Sequence, residues 1–235
     1  MKKLFLILLG SCCILSADEM EPVLAYDFTL PVIGVRGKYK KPMFKKTCRI
    51  GMPEHSVLLE EKNFMIVPES SSLTLKHGGT LHAVAYFSGT GESQQDRDYD
   101  MVFFKRGEFL LGRDRNLCYF NAGNGRKWMM NVHAGEIHLK KWVVLTVVLI
   151  PKGEELYQVK MFLNGKICAD RNFKAHFGNP NRENLLIGQG FGGPWPLEGK
   201  LAEVMIFDFP LSDSQVRALV SRSAVSRKKD RDAKM

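Results

Sequence analysis

Short runs in which apolar and polar residues alternate recur along the chain, and Gly, Pro and Asn residues separate them. Alternation with a period of two is typical of a β-strand that buries one face. The run at 141–150 is almost continuously apolar, which indicates a central strand covered on both faces. The predicted strands are 23–29, 56–59, 63–68, 81–88, 100–105, 108–111, 117–121, 128–133, 141–150, 156–163, 166–169, 184–188 and 201–209.

Two local signals predict how parts of this pattern are connected. Asn164-Gly165 lies between two strand-like runs, which is a strong signal of a tight β-hairpin. Near the C-terminus Pro210 ends a strand, Ser212 is placed to cap a helix, and Gln215 completes a capping box. No helix longer than about ten residues is predicted after the N-terminal segment. The pattern therefore predicts an all-β, two-sheet antiparallel β-sandwich with one short C-terminal helix.

The segment 197–219 resembles the closing strand and last helical turn of laminin G-like, concanavalin A-like jelly-roll domains. Stretches at 102–112, 141–146, 159–166 and 186–188 resemble the same family in the same order, and the resemblance covers about 26–219. It implies a jelly roll, and a sugar- or surface-binding module sooner than an enzyme, although this fold also hosts hydrolases, lyases and protein-binding domains. The closing segment keeps the family pattern at Gly199, Leu201, Glu203, Val204, Ile206, Phe207, Pro210, Leu211 and Ser212.

The N-terminal residues predict export. Two lysines precede an apolar run at 4–15, which is shorter than the roughly 20 residues needed to span a bilayer. The predicted organisation is a signal peptide at 1–17, a jelly-roll domain at 18–221 and a basic flexible tail at 222–235. Residues 9–12 also resemble a bacterial lipobox, with Cys12 as the lipidated residue. The sequence therefore predicts a secreted, periplasmic or envelope-attached protein without a transmembrane segment after signal removal.

Three cysteines remain after signal removal: Cys48, Cys118 and Cys168. An odd number permits at most one disulfide and leaves at least one thiol. Their spacing fits neither a zinc site nor a redox pair, which favours buried structural thiols. Their pairing stays open.

Basic residues are concentrated in two segments. Residues 34–49 hold seven bases and no acid, and residues 222–235 hold six bases against two acids. Because the whole chain has a net charge of +9, the rest of it is slightly acidic. Such segments are solvated surfaces or contacts for anionic polysaccharide or a cell surface. A nucleic-acid partner is not predicted, because no recognisable reading element is present.

Aromatic residues in turns are the candidate ligand contacts. Sugar rings stack their C–H faces on Trp or Tyr, and their hydroxyls bond to amide and carboxylate groups. Tyr119, Asn121 and Trp128 surround one predicted turn, and Trp195 lies in a Gly/Pro loop. For Trp195 a core or lid role is the competing interpretation. Trp142 lies in an apolar strand and is predicted to be a core residue.

The sequence demands no cofactor, but the family resemblance implies a structural calcium ion. Many relatives hold the ion with acids from the first and last strands. Asp27 and Asp208 occupy the matching places, and Glu203 stands next to Ala202, where the family carries an Asp. The Ala at 202 weakens this expectation.

The leading interpretation is an exported, non-catalytic carbohydrate-binding module of the cell envelope or extracellular space, with a glycan partner that the basic segments suggest is anionic. The related glucanases carry a Glu-x-Asp-x-Glu strand, and this chain has none. Two alternatives stay open: a protein-interaction or adhesion module that binds a cell-surface protein, and a polysaccharide hydrolase or lyase with an atypical site.

Overall fold

The computed structural model describes residues 20–28, 34–37, 43–44, 57–59, 64–89, 99–175, 182–190 and 195–223. Within these ranges the chain forms strands and one helix. They are β1 (Leu24–Asp27), β2 (Gly34–Gly37), β3 (Met43–Phe44), β4 (Val57–Leu59), β5 (Met65–Val67), β6 (Gly79–Phe87), β7 (Tyr99–Lys105), β8 (Phe109–Asp114), β9 (Leu117–Gly123), β10 (Trp128–Glu136), β11 (Trp142–Gly153), β12 (Leu156–Leu163), β13 (Lys166–Lys174), β14 (Leu185–Ile187), β15 (Gln189–Gly190), β16 (Trp195–Pro196), β17 (Gly199–Phe207) and α1 (Asp213–Ser221).

The strands form two antiparallel sheets and a two-stranded ribbon. The eight-stranded sheet has the order β13-β12-β11-β6-β17-β1-β2, with β4 also paired to β17. The seven-stranded sheet has the order β10-β9-β8-β7-β14-β5-β3, and the ribbon pairs β15 with β16. Strands distant in sequence are neighbours, as β17 is between β6 and β1. The predicted all-β, two-sheet antiparallel fold with one short C-terminal helix is confirmed.

The main hydrophobic core lies between the two sheets, because every second residue of a strand points inward. On β9, for example, Cys118, Phe120 and Ala122 belong to this core. The central strand β11 buries Leu145 in the same core, while Val148, three residues further along the strand, packs on the other side of the sheet. Both faces of β11 are therefore covered, which explains its continuous apolar run.

Helix α1 covers part of the outer face of the eight-stranded sheet. Val216 of the helix packs there with Phe162 of β12 and Met205 of β17. The predicted capping box is present: Gln215 N donates to Ser212 Oγ at 3.3 Å, and Ser212 N donates to Gln215 Oε1 at 2.8 Å. These bonds satisfy backbone groups that the first helical turn leaves without partners.

The predicted hairpin at residues 164–165 is confirmed as the turn between β12 and β13. Asn164 has φ 52° and Gly165 has φ 78°, the left-handed conformations that a tight hairpin turn needs. Several strands are longer than their predicted runs. For example, β13 continues to Lys174, because its pairing with β12 extends as far as Leu156. Hydrogen bonding to a neighbouring strand therefore keeps polar residues in the strand conformation even where their own sequence shows no strand pattern.

Two ion pairs lie buried in the seven-stranded sheet. Arg113 Nε donates to Asp100 Oδ2 at 2.7 Å, and Arg113 Nη2 donates to the same oxygen. Lys105 Nζ lies 3.0 Å from Glu108 Oε1 and donates to the carbonyl oxygen of Leu73 at 2.9 Å. The strands β7 and β8 therefore bury charge only together with its partner, as a low-dielectric interior requires.

Candidate ligand-binding face

The candidate site lies on the outer face of the seven-stranded sheet. Because neighbouring residues on β9 point to opposite sides, Tyr119 and Asn121 face outward between core residues. Strand pairing places Asn131 and His133 of β10 directly opposite Asn121 and Tyr119. We call this surface the aromatic face, and it comprises Tyr99, Met101, Phe104, Leu110, Asp114, Tyr119, Asn121, Trp128, Asn131, His133, Leu186 and Trp195.

Aromatic rings form a continuous row across this face. The ring centroids of Trp195 and Tyr99 are 4.4 Å apart, and those of Tyr99 and Tyr119 are 5.5 Å apart. His133 stacks on Tyr119 with a centroid distance of 4.4 Å and an interplanar angle of 11°. Tyr119 is only 6% exposed, whereas the Tyr99, Trp128, Trp195 and His133 side chains are half-buried. The row therefore offers partly accessible rings on a rigid sheet.

Hydrogen bonds hold the polar groups between the rings. Asn121 Nδ2 donates to the Tyr119 hydroxyl at 3.2 Å, and His133 Nε2 lies 2.8 Å from Asp114 Oδ2. The remaining side-chain oxygens of both groups, Asn121 Oδ1 and Asp114 Oδ1, are buried and have no hydrogen-bond partner among the described residues. A buried acceptor without a donor costs free energy, so these two oxygens favour a donor from outside the face.

The ribbon β15–β16 carries Trp195 to the aromatic face. Gly190 pairs with Trp195 in the ribbon, and a Cβ atom at Gly190 would lie 2.7 Å from Met101 Cγ of β7. The same Cβ atom would lie 3.2 Å from Trp195 Cβ. Glycine at position 190 therefore lets the ribbon lie directly against β7, with Trp195 beside Tyr99.

The structure brings together all four predicted ligand contacts: Tyr119, Asn121, Trp128 and Trp195 all lie on the aromatic face. Sequence reasoning missed Tyr99, because the predicted strand started at residue 100. It also missed His133, which ends the predicted strand 128–133 and stacks on Tyr119 within β10. The strand period could have revealed His133, since it is two residues from Asn131 on the same face.

The three predicted calcium ligands do not lie together. Asp27 and Glu203 are opposite each other on β1 and β17, but Glu203 is buried and its Oε1 lies 3.4 Å from His82 Nε2. Asp208 is exposed and five positions beyond Glu203, roughly 16 Å along an extended chain. No group of three or more His, Cys, Asp or Glu side chains among the described residues could hold a metal ion. These three residues therefore do not fit one shared calcium ion.

Cys118 and Cys168 lie in the described part of the chain, and both are free thiols there. Cys118 lies in the main core, and burial raises the pKa of its thiol far above the ordinary value. Cys168 is half-buried, and burial also raises its pKa. Such thiols react slowly at neutral pH, as buried structural cysteines do. Cys48 and the candidate lipidation site Cys12 lie outside the described residues.

Solved structures with the same fold include domains that bind carbohydrate or receptors. Domain 4 of AbnA, an extracellular arabinanase of Geobacillus stearothermophilus solved in complex with arabinotriose, superimposes with a TM-score of 0.61 and 15% identity over 85% of this chain and 98% of that domain. The botulinum neurotoxin serotype D binding domain gives a TM-score of 0.65 and 10% identity over 86% of this chain and 51% of that one.

A third structure is the botulinum neurotoxin DC binding domain in complex with rat synaptotagmin II, with a TM-score of 0.62 and 10% identity over 87% of this chain and 52% of that one. The chain thus spans about half the length of the neurotoxin binding domains. At these identities the likeness shows the fold. No curated protein matches the sequence. A family model matches residues 63–217, so the chain belongs to the concanavalin A-like lectin/glucanase superfamily, in its laminin G group.

Proposed function

We propose that the protein is an exported, non-catalytic carbohydrate-binding module, and that the aromatic face is its glycan site. The observation that carries the proposal is the row of rings formed by Trp195, Tyr99 and Tyr119, with Trp128 on the same face. Half-buried rings present flat apolar surfaces on which sugar C–H faces stack. Asn121 and Asn131 supply amide groups beside the rings, where sugar hydroxyls form directional hydrogen bonds.

The non-catalytic part of the proposal is supported by the sequence and by the face. Glycoside hydrolysis generally needs two carboxyl groups on either side of the scissile bond. The sequence has no Glu-x-Asp-x-Glu strand, and the described residues of the aromatic face include one carboxylate, Asp114. That carboxylate is engaged with His133. A face with these groups binds and orients a sugar chain.

Export is supported by the N-terminal signal pattern and by the extracellular arabinanase whose domain shares the fold. The one described helix, α1, has nine residues, and no helix in the described ranges is long and apolar enough to cross a membrane. In this proposal the N-terminal signal pattern directs the module to the cell envelope or beyond it.

A glycan array with matched tryptophan variants tests the proposal. Trp128→Ala and Trp195→Ala each remove a half-buried ring from the aromatic face. Trp142→Ala is the control, because this half-buried ring packs on Tyr86, 5.6 Å between centroids, on the outer face of the other sheet. We expect each aromatic-face variant to lose at least about tenfold in affinity, or about 1.4 kcal/mol, and the control to bind like the parent protein.

Thermal unfolding of all three variants shows whether they fold. A folded parent protein that binds no glycan would reject the proposal, and it would direct attention to protein partners. Release of unsaturated or reducing sugar products from a bound glycan would reject the non-catalytic part and favour a hydrolase or lyase.

A further inference from the structure

The polar groups of the aromatic face carry information about the charge of its ligand. Strands β7–β10 contain two basic side chains besides histidine, Lys105 and Arg113. Both are buried in ion pairs, with Glu108 and Asp100 respectively. None of the basic side chains on these four described strands is therefore available to neutralise an anionic ligand on the aromatic face.

The acceptor atoms of the aromatic face also favour an uncharged ligand over an anionic one. Asn121 Oδ1 and Asp114 Oδ1 have no donor among the described residues, and they belong to the two side chains that are linked to Tyr119. Asn121 bonds to the Tyr119 hydroxyl, and Asp114 holds the His133 ring that stacks on Tyr119. A sugar hydroxyl donates a hydrogen bond, whereas a sulfate or carboxylate group only accepts one. An anionic substituent would also meet the charge of Asp114.

Burial of these acceptors adds one structural requirement. Asn121 is only 4% exposed, and both free oxygens are closed to solvent in the absence of a ligand. A hydroxyl therefore reaches them only when a neighbouring side chain moves. Making that hydrogen bond recovers the free energy that an unpaired buried acceptor loses, so a hydroxyl-rich ligand is favoured over one without donors.

The described backbone of the two basic segments lies outside strands β7–β10. The described part of residues 34–49 comprises β2, at the edge of the eight-stranded sheet, and β3, at one edge of the seven-stranded sheet. Strands β5 and β14 separate β3 from β7. The tail follows α1, which packs on the outer face of the eight-stranded sheet. Exposed bases adjoin the aromatic face in two turns: Arg115 follows Asp114, and Arg126 and Lys127 precede Trp128.

We infer that the aromatic face selects uncharged, hydroxyl-rich glycans and discriminates against sulfated or uronic acid chains. This inference rests on the proposed function and specifies the ligand class of the same site. It differs from the anionic ligand that the basic segments suggest, because both basic side chains of β7–β10 other than histidine are buried in ion pairs. Asp114 is the residue that sets the discrimination.

The test compares ligands of matched length on the parent protein and on Trp128→Ala. The neutral probes are arabinotriose and cellotriose, and the anionic probes are trigalacturonate and a sulfated heparin trisaccharide. For each probe, the affinity of the parent protein is compared with that of Trp128→Ala. Only binding that Trp128→Ala weakens is counted, because that binding takes place on the aromatic face. We expect a neutral probe to bind at least tenfold more tightly than either anionic probe.

A charge-neutralising variant isolates the role of Asp114. Asp114→Asn keeps an oxygen that accepts from His133 and removes the charge, so anionic probes should gain about fivefold in affinity, the effect of one nearby charge in a solvated site. Asp170→Asn, on the exposed edge strand β13, is the matched control and should leave all affinities unchanged.

The outcomes separate this inference from the proposed function. Trp128-dependent binding that is equal or stronger for anionic probes would overturn the inference and keep the glycan site. An Asp114→Asn protein that gains no affinity for anionic probes, while folding normally, would also overturn it. If Trp128→Ala changes the affinity for none of the probes, the result would contradict the proposed site itself.

Discussion

The buried ion pair between Asp100 and Arg113 should be one of the most sensitive points of the fold. Asp100 is 4% exposed and Arg113 is 2% exposed. Asp100 Oδ2 accepts from two Arg113 nitrogens, and Asp100 Oδ1 accepts from the backbone N–H of Glu198 at 3.1 Å. One carboxylate therefore joins β7 and β8 to the segment that precedes β17. The adjacent residue, Tyr99, belongs to the aromatic face.

Removing one partner leaves the other charge buried. We expect Asp100→Ala to cost about 3–5 kcal/mol of the free energy of unfolding, because the buried Arg113 guanidinium would lose the carboxylate that accepts from two of its nitrogens. That is a large part of the roughly 5–15 kcal/mol of a typical domain. The double variant Asp100→Leu with Arg113→Met removes both charges, so it should cost less than Asp100→Leu or Arg113→Met alone, about 1–2 kcal/mol, with the lost hydrogen bond from Glu198 N as the main remaining term.

Urea denaturation with linear extrapolation measures these differences. Lys160→Ala is the control, because it breaks a half-exposed ion pair with Asp213 at 2.8 Å and should cost about 1 kcal/mol or less. A cost of Asp100→Ala no larger than that of this control would contradict the structural role of the buried pair. A cost of the double variant equal to the sum of the costs of Asp100→Leu and Arg113→Met made singly would also contradict the pairing, since the two residues would then act independently.

Three further changes have defined outcomes. Ser212→Ala removes the oxygen that accepts from Gln215 N, and it should lower the free energy of unfolding measured in urea by about 1 kcal/mol. Removing an N-cap side chain costs at least about 0.5 kcal/mol, so a change below about 0.3 kcal/mol would contradict the capping role. Burial raises the pKa of the Cys118 thiol in the folded protein, whereas the same thiol has a pKa of about 8.5 in the unfolded chain. Above that pH only the unfolded chain loses the proton. The free energy of unfolding therefore falls by up to about 1.4 kcal/mol for each unit by which the pH rises. Cys118→Val should remove that part of the slope between pH 9 and 10.5 in urea titrations, and an unchanged slope would refute the assignment. Gly190→Ala should weaken glycan binding severalfold by pushing the ribbon from Met101, and unchanged affinity in calorimetry would show that Trp195 does not need this close approach.

The parts of the fold that follow local rules could be predicted from the sequence. Asn164-Gly165 and the Ser212–Gln215 capping box depend on a few neighbouring residues, and both are confirmed. Tyr119 and Asn121 are two residues apart on one strand, so the strand period alone places them on one face. The hairpin of β9 and β10 then brings Trp128 to the same face.

The remaining features depend on contacts between distant parts of the chain. Trp195 meets Tyr99 because the ribbon β15–β16 lies against β7, and no local pattern indicates that approach. His133 meets Asp114 through the pairing of three successive strands. Charged residues such as Asp100 are predicted on the surface by composition alone, and only their partner across the sheet explains their burial.

The most direct test of the glycan site uses the three tryptophans of the chain. Each gives one indole N–H signal in a proton–nitrogen correlation spectrum of the folded protein, and single Trp→Phe variants assign the three signals. Titration with a neutral oligosaccharide, beginning with arabinotriose, should shift the signals of Trp128 and Trp195 and leave that of Trp142 in place. A spectrum in which the Trp142 signal moves while those of Trp128 and Trp195 stay fixed would contradict the assignment of the aromatic face as the binding site.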